Sequence, residues 1–217
     1  TALWGNLSFE EALDKAKSFG ITAVEIGAGG YPGQPHCPVD DLLDSQTARE
    51  EWLGKITERG LTLSALSIHN NPIHPDKEIA EEADTVIKKA IKLAALLGVP
   101  TINGFSGLPA GSAKDTMPNW VTCAWPPHFI EILDYQWDEV TIPYWKKMAK
   151  FSEDHGVKFA FEMHPGMLVY NVYTLLRMRD AVGPVIGCNF DPSHLFWNGV
   201  DPVAAIRKLG DAIFHVH

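Results

Sequence analysis

The chain has 217 residues, 18 Lys and Arg against 27 Asp and Glu, and a formal charge of −9. That length can bury a sizeable core. The acidic balance, with no basic run, argues against a nucleic-acid surface, and no apolar run reaches membrane-spanning length. Three cysteines, Cys37, Cys123 and Cys188, form no CxxC pair and read as reduced thiols, so a cytoplasmic location is expected.

In chain order the pattern is strand, loop, helix, repeated. Residues 1–4 read as the tail of a first strand. Ser8 and Glu11 form a capping box for a helix with Phe9, Leu13, Ala16 and Phe19 on its buried side, ended by Gly20. A second strand, Ala23–Gly27, runs into the turn-rich GAGGYPGQPHCP, which no helix follows directly, so a phosphate cradle is not expected there. A helix over about 47–59 precedes a third strand, Thr62–Ile68, that leads to His69. Asp76 opens a long helix with Ile79, Ala83, Val86, Ala90 and Leu97 on one stripe, and Gly98 closes it before a fourth strand near 100–105.

Residues 106–135 read as a long irregular segment, a lid or binding loop. A helix over about 137–155 leads to the fifth strand, 157–163, and a helix near 172–182 to the sixth, 185–190. Asp201 and Pro202 start the next helix, and the seventh strand is 212–217. His36, His128 and His155 read as surface or helix-end residues.

Strand phase carries the functional signal. Phe159, Phe161 and Met163 alternate with Ala160, Glu162 and His164; Ile186, Cys188 and Phe190 with Gly187, Asn189 and Asp191; Phe214 and Val216 with His215 and His217. Side chains two apart share a face. One face is thus apolar and expected under helices. The other is small or polar and ends in Glu162, Asp191 and His217. Alternation of strands and helices implies a parallel sheet, and no GxGxxG or Walker motif supports a doubly wound nucleotide fold. A (β/α)8 barrel with about seven strands present is expected. Its strand ends would gather at one mouth, where two carboxylates and an imidazole suit a divalent metal. Closing eight strands needs a further helix, strand and helix. Residues 1–217 are therefore expected to be one barrel domain of a longer protein.

The ring of strand ends holds Trp4, Glu25, His69, Asn103, Ser106, Glu162, His164, Asp191, His194, His215 and His217. Small or apolar Leu63, Ala65, Ala160 and Gly187 would form the floor below. For His69 and His74 two readings stay open, substrate contact or loop capping; for Glu25, substrate contact or a structural ion pair. His164 shares the face of Glu162 and is assigned to substrate. Trp120 and Trp125 could lie over a sugar or pack a lid onto the barrel.

The segments EMHPG, NFDPSHLFW and HVH resemble the fifth, sixth and seventh strand signatures of the xylose-isomerase-like barrel superfamily, and ALWG, AVEIG and ALSIHNNPIHP resemble its sugar phosphate isomerase/epimerase branch. The resemblance implies Glu162, Asp191 and His217 as ligands of Mn, Mg, Co or Zn, with an acidic fourth ligand on an eighth strand outside this span. It implies a substrate or supporting role for His194. The chemistry would be proton transfer next to a carbonyl of a sugar, keto-polyol or sugar phosphate, with Glu162 as base. An inosose dehydratase-like lyase, a hydride-shift isomerase and a non-catalytic sugar-binding barrel use much the same residues. An endonuclease IV-like phosphodiesterase fits less well, because GFSG stands where a strand-four histidine would be needed. A small carbohydrate is the expected partner; a homo-oligomer is compatible with the sequence.

Overall fold

In a computed structural model covering residues 2–31 and 33–217, six parallel strands form one sheet in the order β1 to β6. These are β1 (Ala23–Gly30), β2 (Thr62–His69), β3 (Thr101–Gly104), β4 (Lys158–Glu162), β5 (Ile186–Phe190) and β6 (Ile213–Val216). The sheet curls into a half-barrel, with helices over its outer face. The helices are α1 (Phe9–Ser18), α2 (Val39–Asp44), α3 (Gln46–Thr57), α4 (Lys77–Leu97), α5 (His128–Asp134), α6 (Ile142–Asp154), α7 (Val172–Val182) and α8 (Pro202–Leu209). Sequential parallel strands joined through helices give the right-handed architecture expected of a partial (β/α)8 barrel.

Local chemistry fixes the elements. Ser8 Oγ accepts from the Glu11 N–H while Glu11 Oε2 accepts from the Ser8 N–H at 2.9 Å, the reciprocal box anticipated for α1. Asp76 and Asp201 cap α4 and α8. Gly98, at φ 70°, ends α4 in a left-handed conformation that a side chain disfavours.

The first expected strand is instead a 3-10 turn, Ala2–Trp4; Thr1 lies outside the described residues. Trp4 stacks on Phe19 with ring centroids 6.3 Å apart instead of standing at the barrel mouth. Phe19 caps α1 and is exposed, so it is not part of the buried stripe. On α4 the buried residues are Ala83, Ile87, Ala90, Ile91, Leu93 and Ala94, while Ile79 is exposed. The short α2 precedes α3 where a loop was expected. His36 is buried, its Nε2 donating to the Leu7 carbonyl at 3.0 Å.

The outer face of β4 packs against an aromatic cluster of the core. The fully buried Trp145 of α6 meets Phe159 and Phe161 edge-on at 4.7 and 4.5 Å, and its indole N–H donates to the Ser106 carbonyl at 2.9 Å. Beyond β5 the phase changes. A register shift between Cys188 and Asn189 accompanies an edge strand whose Val216 is exposed. Phe214 lies against Gly187, with the Lys158 ammonium 4.6 Å from its ring. The apolar face expected for β6 is therefore split: Val216 is exposed, while Phe214 has the guanidinium of Arg179, from α7, 5.5 Å from its ring.

The long irregular segment ends earlier than expected. Helix begins at His128 and passes through a wide π turn, Tyr135–Thr141, into α6. The turn precedes Pro143, which has no N–H for the carbonyl of Glu139, so the regular ladder cannot continue there. The irregular segment itself is pinned. Asn71 Nδ2 donates to the Leu108 carbonyl at 2.8 Å and Asn71 Oδ1 accepts from the Leu108 N–H at 3.0 Å. Buried Gln136 donates to the carbonyls of Pro109, Ala110 and Asn119 at 3.3, 3.1 and 2.6 Å. A buried backbone outside helix or sheet needs such partners. Replacing Gln136 with Leu should cost about 1–3 kcal/mol through unsatisfied carbonyls, read as a lower urea midpoint at unchanged slope. A midpoint equal to wild type would refute this account of the loop.

Candidate active site

The inner face of the half-barrel carries Ser67, Asn103, Ala160, Glu162 and Asn189, all buried. Glu162 ends β4 and is the hub. Its Oε2 lies 3.1 Å from His69 Nε2, 2.9 Å from His217 Nδ1 and 3.0 Å from Asn189 Nδ2; its Oε1 lies 2.9 Å from His194 Nε2. Burial opposes ionisation of this carboxyl, but hydrogen bonds from His217 and His69 outweigh it and hold the group well below the usual carboxylate range. Those same contacts push His217 up to about 10, with Glu162 the largest cause and Glu25 the next.

Glu25, in β1, faces inward. Its Oε2 accepts from Asn103 Nδ2, and stands 3.2 Å from His215 Nε2 and 2.9 Å from His217 Nε2. Burial again opposes ionisation and the two imidazoles again win. Glu25 is thus ion-paired with His215 and His217, and it also lines the cavity of the site. Gly30 shapes the end of this strand. It sits at φ 64°, and a Cβ there would meet the His69 carbonyl at 2.7 Å, so only glycine allows β1 to lie this close to the end of β2.

A cavity of about 370 Å³ opens over this ring, lined by Leu3, Glu25, Tyr31, Ser67, His69, Phe105, Glu162, His164, His194 and His217. His164 Nδ1 lies 2.7 Å from the Pro165 carbonyl, which can only accept, so that nitrogen bears the proton and Nε2 keeps its lone pair when the ring is neutral. Its ring lies 4.2 Å from His194 and 4.9 Å from Phe105. His74, by contrast, accepts from the Asp76 N–H at 3.0 Å and serves the entry to α4.

Asp191 follows β5. Its Oδ1 accepts from the Ser193 N–H at 2.8 Å, opening a 3-10 turn over Pro192–Asn198, and its Oδ2 lies 3.5 Å from His194 Nε2. Ligand atoms of Glu162, Asp191 and His194 fall within 4.8 Å of one another, as do those of Glu25, His215 and His217. Atoms sharing one ion through bonds of roughly 2 Å must lie about that close. The donor set of carboxylate oxygens and imidazole nitrogens fits a divalent cation of hard or borderline character.

Two expected contacts lie elsewhere. Trp120 packs on Tyr170 and Trp197 at 5.5 and 5.7 Å and is not among the cavity's lining residues; Trp125 is 74 % exposed. Trp120 instead braces the 3-10 turn that carries His194. Tyr31, Ser67 and Phe105 were not singled out from sequence. Ser67 was findable, since it stands two before His69 on the same face; Tyr31 and Phe105 follow their strands and gave no periodic signal.

Cysteine chemistry is not part of the site. Burial pushes Cys37 up to about 12 and raises Cys188 further, with the Glu162 charge adding to it, whereas Cys123 is exposed. At pH 8 one thiol per chain should react rapidly with an excess of a thiol reagent, and all three once the protein is unfolded in guanidinium. Rapid reaction of two or three native thiols would contradict the burial. Among the described residues no helix is long and apolar enough to cross a membrane.

The chain was compared with known proteins. It is 46 % identical over 216 residues to the protein YfiH of Bacillus subtilis strain 168, spanning 98 % of this chain and 69 % of that one. Over 74 residues, a third of the chain and 24 % of the relative, it is 31 % identical to an inosose dehydratase of Clostridium beijerinckii. The fold superimposes on the crystal structure of D-psicose 3-epimerase from Clostridium cellulolyticum H10 with a TM-score of 0.67 and 18 % identity, covering 97 % of this chain and 67 % of that one. The sequence profile described as xylose isomerase-like TIM barrel matches residues 13–217. With strand order, inward-facing carboxylates and this match in agreement, the chain belongs to the xylose isomerase-like TIM barrel family.

Proposed function

We propose that the protein is a divalent-metal-dependent isomerase or epimerase that moves a proton next to the carbonyl of a sugar or keto-polyol. The observation that carries this reading is the convergence of His69, His194 and His217 on the Glu162 carboxylate at the base of a cavity of about 370 Å³. Glu162, Asp191 and His194, whose ligand atoms lie within 4.8 Å of one another, would hold Mn, Mg, Co or Zn, with His217 2.9 Å from Glu162 at the edge of that group. Such an ion would supply charge stabilisation for a developing enediolate.

The chain's own residues do the rest. Glu162 is ionised, as a proton acceptor must be. His194, 2.9 Å from its Oε1, is placed to receive or return that proton. His69 and His164 flank the cavity with imidazoles suited to hydroxyl groups, and Phe105 gives an apolar plane between them. The D-psicose 3-epimerase likeness supports carbohydrate as the substrate class.

A dehydratase reading draws on the inosose dehydratase match, and begins with the same proton removal. The test separates them. Full-length protein loaded with Mn2+ or Co2+ is incubated in deuterated water with ketoses, keto-inositols and their phosphates. Deuterium entering one carbon of a product isomeric with the substrate supports the proposal. A product lighter by one water favours the dehydratase, and turnover without deuterium favours hydride shift. No turnover across the panel with metal bound would favour a binding barrel.

A further inference from the structure

We propose that the substrate is a glycoside: the reacting keto-sugar lies over Glu162, and a second, glycosidically linked ring sits in an adjoining cavity, with Tyr31 at the divide between them. The inference deepens the proposed function and rests on its reading of Glu162 as the reacting end.

The cavity over Glu162 has a neighbour. A second cavity, of about 390 Å³, lies between the end of β1, the residues after β2 and the first turns of α4. Tyr31 and His69 line both, so the two volumes meet at these side chains. At about 370 and 390 Å³, each is near the lower bound for small-molecule sites, roughly 300–1,000 Å³. A single ring over Glu162 would leave the second volume to water, whereas two linked rings would fill both.

The backbone presents Tyr31 at this junction. Its N–H donates to the His69 carbonyl at 2.8 Å, in an isolated antiparallel bridge past the end of β1. Gly29 and Gly30 just before it have φ of 131° and 64°. A Cβ on Gly29 would meet Val86 Cγ1 at 2.6 Å, and one on Gly30 the His69 carbonyl at 2.7 Å, so β1 ends tight against α4 and β2. Tyr31 is nevertheless 79 % exposed. A lone exposed aromatic is ordinary. One with a pinned backbone, shared by two cavities, is a platform: its face suits the C–H face of a sugar ring while its hydroxyl stays wet.

The other walls of the second cavity match a neutral polyol. Ile79, Ala83 and Val86 of α4 give it an apolar side, and the exposed Glu82 gives a carboxylate that accepts from hydroxyls. Asn70 Nδ2 donates to the Ala83 carbonyl at 3.2 Å, which ties the segment after β2 to α4 and fixes the spacing of the walls. Among the described residues lining either cavity there is no Lys or Arg, and each cavity holds a carboxylate. A phosphate or carboxylate on the second unit is therefore disfavoured.

The test uses full-length protein loaded with Mn2+ and two probes, D-fructose and isomaltulose, which is fructose carrying a glucosyl ring on O6. Calorimetry gives the ratio of their dissociation constants. Wild type should bind isomaltulose at least about 10-fold more tightly than fructose. Tyr31→Ala removes the platform, and Ile79→Trp fills the second cavity from α4; each should bring the ratio to about one. Tyr31→Phe keeps the ring plane and should keep the ratio. Tyr31 and Ile79 are both exposed, so the variants should fold, as an unchanged thermal transition would show. Saturation-transfer spectra of isomaltulose should reach protons of both rings with wild type, and those of the fructose unit alone with Ile79→Trp.

A wild-type ratio near one, or binding of neither probe, would overturn the proposal. So would a ratio of about ten or more that survives in both Tyr31→Ala and Ile79→Trp, since the second ring would then lie elsewhere. Deuterium exchange separates the two readings. Exchange into monosaccharides with a ratio near one would remove the second ring and keep the proton-transfer chemistry. A high ratio, lost in both variants, with no exchange into any sugar would keep the second ring and remove that chemistry.

Discussion

Glu162→Gln should bind Co2+ or Mn2+ far more weakly and lose turnover by at least about a thousandfold, a barrier increase of roughly 4 kcal/mol or more. The substitution preserves shape while removing charge and basicity, and it turns one accepting oxygen into an NH2 that can only donate. An amide can neither accept a proton at neutral pH nor offset the charge of a dication. A positioned base alone typically contributes 10²–10⁴-fold, and here the same group faces four partners: His69, His194, His217 and Asn189. The control is a cooperative thermal transition and an unchanged circular dichroism spectrum. A folded, metal-loaded Glu162→Gln enzyme with a tenth or more of wild-type turnover would remove Glu162 from the chemistry.

Trp145→Ala should destabilise the protein by about 3–5 kcal/mol, the range for a fully buried aromatic replaced by a methyl group. The indole fills the space between α6 and β4 against Phe159 and Phe161. It also satisfies the carbonyl of Ser106, whose own hydroxyl accepts from the Val169 N–H at 3.0 Å. Loss of the ring leaves a cavity, and loss of the N–H leaves a buried acceptor unpaired. For a chain of this size the melting temperature should fall by about 2–4 °C per kcal/mol. Trp145→Phe fills most of the volume and should cost much less. Because Ser106 joins this core to the segment after His164, activity near the melting transition should fall with stability. An unfolding free energy for Trp145→Ala within about 1 kcal/mol of wild type, against the roughly 3–5 expected, would mean that Trp145 is not a main support of the core.

Much of this molecule is legible in its residues taken in order. Period-two alternation in KFAFEMH and VIGCNFD sets which side chains of β4 and β5 face inward, and the structure agrees for Phe159, Phe161, Glu162 and Asn189. Ser8 with Glu11, Asp76, Asp201–Pro202 and Gly98 mark helix ends through bonds that span no more than one turn. Such signals are local, so a linear reading reaches them.

Partnership could not be read that way. His69 meets Glu162 across 93 residues and His217 meets Glu25 across 192. Both pairings depend on how far the sheet curls and on shifts of register. One such shift falls between Val24 and Glu25 and another between Cys188 and Asn189, beside the very residues that form the site. A one-residue slip turns a side chain to the opposite face, and no local pattern announces where it occurs. The same holds for Phe19, Trp4, Trp120 and Val216, whose surroundings are set by elements distant in the chain. The order of amino acids dictated strand phase, helix limits and the stock of ligand atoms. Only the folded sheet decided which imidazole faces which carboxylate, because that choice is made by distances between strands and not by positions along them.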